Sequence, residues 1–342
     1  MNRPKPLELV ESDRRLFLKT GVGIAAAAGM SPTLGLADNS TAGPSQSAES
    51  FVKILHGTLT DSQRSKICYD WNHIDPKRGL LRTRVSNNWM INDASIHGDY
   101  YNAEQKDLIR KIFESIVSSE WIGKFDQQME DDCGGFGREQ AIGIFGDPDA
   151  GPFELVLTGR HMTLRCDGNS EPSVAFGGPI FYGHDPGSFD EQKDHPGNVF
   201  WQQALNVNRI YEMLDGRQRK IAEVAQTPRE QAVAFKGKSQ AITGIPVTDL
   251  SSDQKEQLQL SLGSLLEPFR VTDRQEALEC LSTQGGLDAC HLSFYTDHDI
   301  GNDRVWDNWR LEGPSFVWHF RGAPHVHVWV NIADRPDIEL NA

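Results

Sequence analysis

Near its C-terminal end the chain reads WHFRGAPHVHVWV, from Trp318 to Val330, and three of its eleven histidines fall in that string. The alternation through Val326, Val328 and Val330 marks a strand. Successive side chains on a strand point to opposite faces, so His325, His327 and Trp329 share one face and the valines take the core face. Two imidazoles two residues apart on one strand face can chelate a single ion, and neutral imidazole nitrogen suits zinc, copper, iron or nickel. The Arg-Gly-Ala-Pro step before them reads as a turn, which folds the strand ending at Phe320 back as a hairpin. Register then decides where His319 faces: pairing Phe320 with His325 turns it away, beside Val326, and a bulge brings it back.

A further imidazole comes from the string GRHMTLRC, in which His161 shares a face with Gly159, Thr163 and Arg165. If the two halves of the chain pack about a pseudo-twofold, His161 meets the pair from the other side. The expected metal set is therefore His161, His325 and His327, with His319 as a conditional fourth. Three histidines and an open position make a reactive centre rather than a closed structural one. His184 and His195 flank a loop rich in Gly, Pro and acids, and are expected to be exposed there, with a lid or an added ligand as the alternative. His291 and His298 lie by Asp297 and Asp299, an oxygen-rich group without EF-hand spacing. Trp306, Trp309, Trp318 and Trp329 gather around the last hairpin, either as core filling or as an aromatic wall for a flat ligand such as a sugar. The chain carries no G-x-S-x-G, Walker or G-x-G-x-x-G string, and no H-E-x-x-H. Serine-hydrolase, kinase and nucleotide-oxidoreductase readings therefore have no foothold.

Elements must bring these residues together. Thr60 with Gln63, Asn102 with Gln105, Asp215 with Gln218 and Ser251 with Gln254 each have capping-box spacing, which predicts four helix starts. Strand-like segments follow in two matching blocks, AIGIFGDPDAGPFELVLTGRHMTLRCDG and HLSFYTDHDIGNDRVWDNWRLEGPSFVWHF, with Phe294 for Phe145 and Gly313 for Gly159. Another strand follows each block, in SVAFGGPIFYG and HVHVWVNI. The expected fold is α+β: duplicated helix-helix-strand units with antiparallel sheets, in two pseudo-symmetric halves of about 51–195 and 196–332, then a tail over 333–342. The seam between such halves is a natural place for a pocket.

The N-terminus reads as a targeting segment. SDRRLFLKTGVGIAAAAGM pairs Arg14 and Arg15 with Phe17, Leu18 and Lys19 ahead of a short, weakly apolar run, and Gly35 and Ala37 suit a signal peptidase. This looks like a twin-arginine signal over residues 1–37, which makes the export machinery a partner and the periplasm or beyond the destination. Residues 38–50 read as a disordered polar linker. Residues 1–37 hold five Lys/Arg and three Asp/Glu, so their removal takes the net charge from −14 to −16. That balance repels phosphate backbones and excludes nucleic acid as an expected partner. No later segment is apolar enough to span a bilayer. The five cysteines, Cys68, Cys133, Cys166, Cys280 and Cys290, read as buried small hydrophobes or as one local disulfide between Cys280 and Cys290.

The strings LTDSQR, GPFELVLTGRHMTL, LDGRQRKIA and WRLEGPSFVWHF…PHVHVWV together resemble the domain-of-unknown-function 3500 (DUF3500) family, in the family's order, from Phe51 to Ile332. The resemblance implies no activity. It does imply that His161 matches the second histidine of a Gly-His-His that ends a first-half strand, and that His325 and His327 match a His-x-His in the last hairpin. Arg160 stands where the family has the first histidine, and His319 where it has an acid.

The resulting expectation is an exported His-ligated metalloprotein. It would be a metal-dependent enzyme, hydrolase or oxidoreductase, acting on a small or carbohydrate-like molecule. Zinc leads as the ion, with copper or iron as alternatives. The other reading is a non-catalytic periplasmic protein that binds a ligand or handles metal.

Overall fold

Each expected capping box starts a helix. Thr60, Asn102, Asp215 and Ser251 accept the backbone N–H three residues on, and Gln63, Gln105, Gln218 and Gln254 reach back to the cap's own N–H. A computed structural model of the protein describes residues 47–168, 170–187, 195–298 and 305–338. The chain runs α1 (Ala48–Thr58), α2 (Asp61–Ile67), β1 (Cys68–Tyr69), β2 (Ile74–Asp75), β3 (Gly79–Leu80), α3 (Ala103–Ile116), α4 (Ile122–Cys133), β4 (Gln140–Gly146), β5 (Phe153–Gly159), β6 (Met162–Cys166) and β7 (Ile180–His184). It continues α5 (Trp201–Met213), α6 (Gly216–Ala222), β8 (Glu223–Val224), β9 (Ile245–Pro246), α7 (Ser252–Leu266), α8 (Val271–Thr283), β10 (His291–Tyr295), β11 (Asn308–Gly313), β12 (Phe316–Arg321) and β13 (Val326–Ile332). The fold is α+β, with a large, mostly antiparallel sheet.

Two of the boxes pair with each other, and so do the other two. The Gln63 and Gln105 side chains exchange hydrogen bonds of 3.0 and 3.1 Å, and each also donates to a backbone carbonyl, of Tyr100 and Thr58 respectively. Gln218 and Gln254 do the same at 2.9 and 2.8 Å, donating to Asp249 and Met213. Each clamp joins the N-termini of two helices and leaves no amide group of those glutamines idle.

Strand order repeats that pattern. The sheet reads β1-β4-β5-β6-β7-β13-β12-β11-β10-β8, with β9 beside β10. From either edge the strands come in chain order, and the two runs meet where β7 pairs antiparallel with β13. Gly159 pairs with Met162 and Gly313 with Phe316, so each glycine closes a hairpin of the same length. The expected match of Phe294 with Phe145 is not found. The parallel edge pairs align Ile144 with Phe294, and so Phe145 with Tyr295.

All the longer helices cover one face of the sheet, packing on Ile142, Leu155, Leu164, Tyr182, Leu311, Trp318, Val328 and their neighbours in one continuous core. The opposite face is covered by the two long connections. Leu81 and Ile91 pack on Val156 and Phe145, while Val233 and Phe235 pack on Val317 and Trp329. No helix among the described residues is long and apolar enough to cross a membrane.

Several expectations change. The segment expected as a linker over residues 38–50 already holds the start of α1, where Ser47 caps the helix through Ser50 N–H. The expected signal over residues 1–37 lies outside the described residues, as do 38–46. α4, α5 and α8 start at Trp121, Phe200 and Arg270 without a side-chain cap, so nothing local announced them. The expected tail is tied down at its start, by a bridge from Ala333 to Val174 and a bond from Asp334 N–H to Ser173. All five cysteines are free thiols, and Cys280 and Cys290 are buried without being joined.

Candidate metal centre

Along β13 the side chains alternate as the sequence predicts. Val326, Val328 and Val330 enter the helical core, and His327 and Trp329 lie on the other face, buried beneath the second connection. Across the strand pair His327 sits opposite Gly183. A Cβ on Gly183 would come 2.4 Å from the Val326 carbonyl oxygen and 3.3 Å from the His327 ring, so glycine is what leaves room for the imidazole. His325 precedes the strand and is half-buried.

His161 arrives from the other run. It sits in the two-residue turn between β5 and β6 with φ of +51°, a left-handed conformation that few side chains adopt. Its N–H donates to Asn87 O at 2.9 Å, which fixes the turn against the first connection.

Nitrogens of His161, His325 and His327 all lie within 4.8 Å of one another. The Nε2 atoms of His325 and His327 are 2.9 Å apart, and those of His327 and His161 are 3.1 Å apart. A tetrahedral ion with Zn–N bonds of about 2.0–2.1 Å sets its ligand nitrogens about 3.3 Å apart, so the spacing suits one ion.

The outer ring nitrogens explain the orientation. His161 Nδ1 meets Asp132 Oδ2 at 2.7 Å, and His327 Nδ1 meets Glu230 Oε2 at 2.7 Å. A carboxylate can only accept, so both rings carry a proton on Nδ1 and turn Nε2 inward, where a neutral ring presents its lone pair. His325 can donate into one short contact. With both rings in the metal-binding form, the His161–His327 contact sets two lone pairs against each other, an arrangement that a shared cation would relieve.

Glu230 is itself braced. Trp329 Nε1 donates to the same oxygen at 2.9 Å, and Arg321 Nη1 donates to the other at 2.9 Å. Burial alone would raise the Glu230 carboxyl; the bond from His327 and the charge of Arg321 outweigh it and bring it down to about 2. Burial is the largest cause of the drop in both strand histidines, to about 4 for His325 and about 3 for His327. At neutral pH both are therefore neutral, the form that ligates metal, and the ionic partner of Glu230 is Arg321.

The expected residues separate cleanly. His161, His325 and His327 come together, and His319 does not join them. The hairpin pairs Phe320 with Val328 rather than with His325, which places His319 opposite Trp329 on the correct face but two residues along. There it is fully buried against Tyr295, with Nδ1 accepting from Arg310 Nε. His184 is buried at the end of β7 rather than exposed, with its Nε2 3.2 Å from Asp131. His195 Nδ1 accepts from Gly197 N–H. Asp297 binds Thr227, and Asp299 lies outside the described residues. The four tryptophans are all buried, so core filling is the outcome and no aromatic wall forms. Sequence reasoning missed Asp132 and Glu230, which lie 29 and 97 residues from the histidines they orient. A second grouping, His56 with Asp147 and Asp149, lies toward the surface, and Arg64 already occupies the His56 Nε2.

The DUF3500 pattern, described as a protein of unknown function, matches residues 41–332, which takes in both runs of the sheet and every residue of the cluster. The chain belongs to the DUF3500 family. No curated protein and no solved structure matches it. In this DUF3500 chain the position before His161 holds Arg160, whose guanidinium bonds Asp185 at 3.1 Å. Asp185 N–H in turn donates to the second oxygen of Asp132 at 2.7 Å. Arg160 thus braces the same carboxylate that holds His161.

Proposed function

We propose that this DUF3500 protein is a mononuclear metalloprotein in which His161, His325 and His327 hold one transition-metal ion through Nε2. The observation that carries the reading is the convergence of three ring nitrogens within 4.8 Å, two of the rings oriented by carboxylates on their far side. Zinc suits three neutral imidazoles at this spacing, and copper or iron accept the same donors. A bound ion would polarise a substrate oxygen or lower the pKa of a water ligand, so metal-dependent hydrolysis is the first activity to seek. Oxidation is the second, and it requires copper or iron.

Half-exposed His325 is the open side of the cluster, flanked by Arg160, Asp185 and Arg321. That rim suits a small polar molecule. Trp306, Trp309, Trp318 and Trp329 are buried, so none of these four offers a sugar ring a stacking surface at the cluster.

Protein purified without added metal should contain close to one ion per chain, and His325→Ala/His327→Ala should contain none. Equal, substoichiometric metal in both would leave the other reading, a ligand binder without an ion. If the ion leaves to a modest chelator and no hydrolytic or oxidative turnover is found, metal handling takes the place of catalysis.

We propose also that the leader carries this protein out of the cytoplasm by the twin-arginine route, on the strength of the Arg14-Arg15-x-Phe17-Leu18-Lys19 string. Arg14→Lys/Arg15→Lys should then strand the chain inside the cell with its leader uncut. Unchanged export of that variant would exclude the route.

A further inference from the structure

The second connection stands away from the sheet where the first lies flat against it. Three residues before the hairpin glycine of the first run is Val156, packed under Leu81 and Ile91. Three residues before the hairpin glycine of the second run is Arg310, and beside it lies a cleft of about 440 Å³ lined by Val224, Pro228, Ala232, Ala234, Lys236 and Arg310. None of the three metal-site histidines lines it.

The charges on its floor do not balance. Glu312 accepts from Lys236 Nζ at 2.8 Å through one oxygen and lies 3.8 Å from Arg310 Nη1 through the other, so one carboxylate serves two cations. Arg310 is 4% exposed. Its Nη1 donates to Ala232 O at 3.0 Å and its Nε to His319, while its buried Nη2 has no partner among the described residues. A buried guanidinium edge without an acceptor is costly, and a chain of net charge −14 has acidic side chains enough to have supplied one. The missing group is a single anion. The rest of the lining mixes valine, proline, alanine and phenylalanine with two glutamines, a threonine and a tyrosine, and its apolar part suits a short aliphatic body behind the anion.

We infer that this cleft is a second ligand site, for a small amphipathic monocarboxylate whose carboxylate completes Arg310. The site is independent of the metal centre, although residues 226–236 belong to both: Glu230 turns to His327, and Ala232 and Ala234 to the cleft.

Saturation-transfer NMR on the full chain, with hexanoate, hexanol and hexylamine as separate probes at about 1 mM, tests it in a range suited to weak ligands. Hexanoate should take up saturation and hexylamine should not. Arg310→Met should weaken hexanoate by about tenfold or more, the loss of a charge-assisted bond. Because Arg310 is buried, Ala234→Trp provides the independent variant: it fills the cleft from an exposed position and should abolish the hexanoate signal in a folded protein. Equal saturation of all three probes, no hexanoate signal, or a hexanoate signal that survives Ala234→Trp would each overturn the site. Metal content should be unchanged in Ala234→Trp, so failure here is separable from failure of the metal reading.

Discussion

If the cluster holds an ion as proposed, Glu230→Gln should lower the affinity for it by about 10–100-fold, the range found when a carboxylate orienting a ligand histidine is removed. The cause lies in the number of acceptors. Glu230 takes bonds from His327 Nδ1 and Trp329 Nε1 on one oxygen and from Arg321 on the other. Glutamine keeps one oxygen and turns an NH₂ toward whichever donors it loses, so either the guanidinium or the imidazole goes unmatched. Asp132→Asn meets the same difficulty between His161 Nδ1 and Asp185 N–H. His327→Ala, which removes the nitrogen shared by both short contacts, should leave no stoichiometric ion at all. The measurement is competition for the ion against a chelator of known affinity, run on all three variants and the parent. The order parent, then the two carboxylate variants, then His327→Ala is required. A parent no tighter than Glu230→Gln would mean that the carboxylates do not serve the site.

How much of this centre shows in the sequence depends on distance along the chain. His325 and His327 are legible because period-two alternation is a local property, and Val326 and Val328 enter the core as it requires. The four glutamine caps are legible for the same reason, although not their reciprocal pairing, which joins residues 42 and 36 positions apart. His161 rests on the matching order of two blocks, and the sheet does bring the turn after Gly159 to the end of β13. His319 is misplaced because hairpin register depends on loop length, and the loop before His325 takes up residues that a tight turn would have paired. Asp132 and Glu230 carry no local signal. Glu230 lies in the string TPREQ, whose only distinction is the connection that carries it across the sheet face.

Glu154→Ala should destabilise the fold by about 3–5 kcal/mol, because it leaves the buried Arg165 guanidinium without its counter-charge and Arg82 with Glu171 alone. Glu154 is fully buried on β5, and accepts from Arg165 Nη1 at 2.8 Å and from Arg82 Nη1 at 3.0 Å. Burial pushes the Glu154 carboxyl up and the Arg165 guanidinium down, and the charge of each partner opposes that push. The consequence reaches the metal site. Arg165 donates to the carbonyls of Arg82 and Arg84, Thr163 to that of Ser86, and His161 N–H to that of Asn87. Side chains and backbone of one strand and its turn thus fasten residues 82–87 along their length, and the last fastening is the one that holds His161 in its left-handed turn. Urea unfolding should report the stability loss, and amide exchange should rise first across residues 82–87. Glu154→Met/Arg165→Met removes both charges and should recover part of the loss, leaving Arg82 with Glu171. If Glu154→Ala unfolds at the parent's urea midpoint, the pair is not what binds that segment to the sheet, and the turn at His161 must be held by the packing around it.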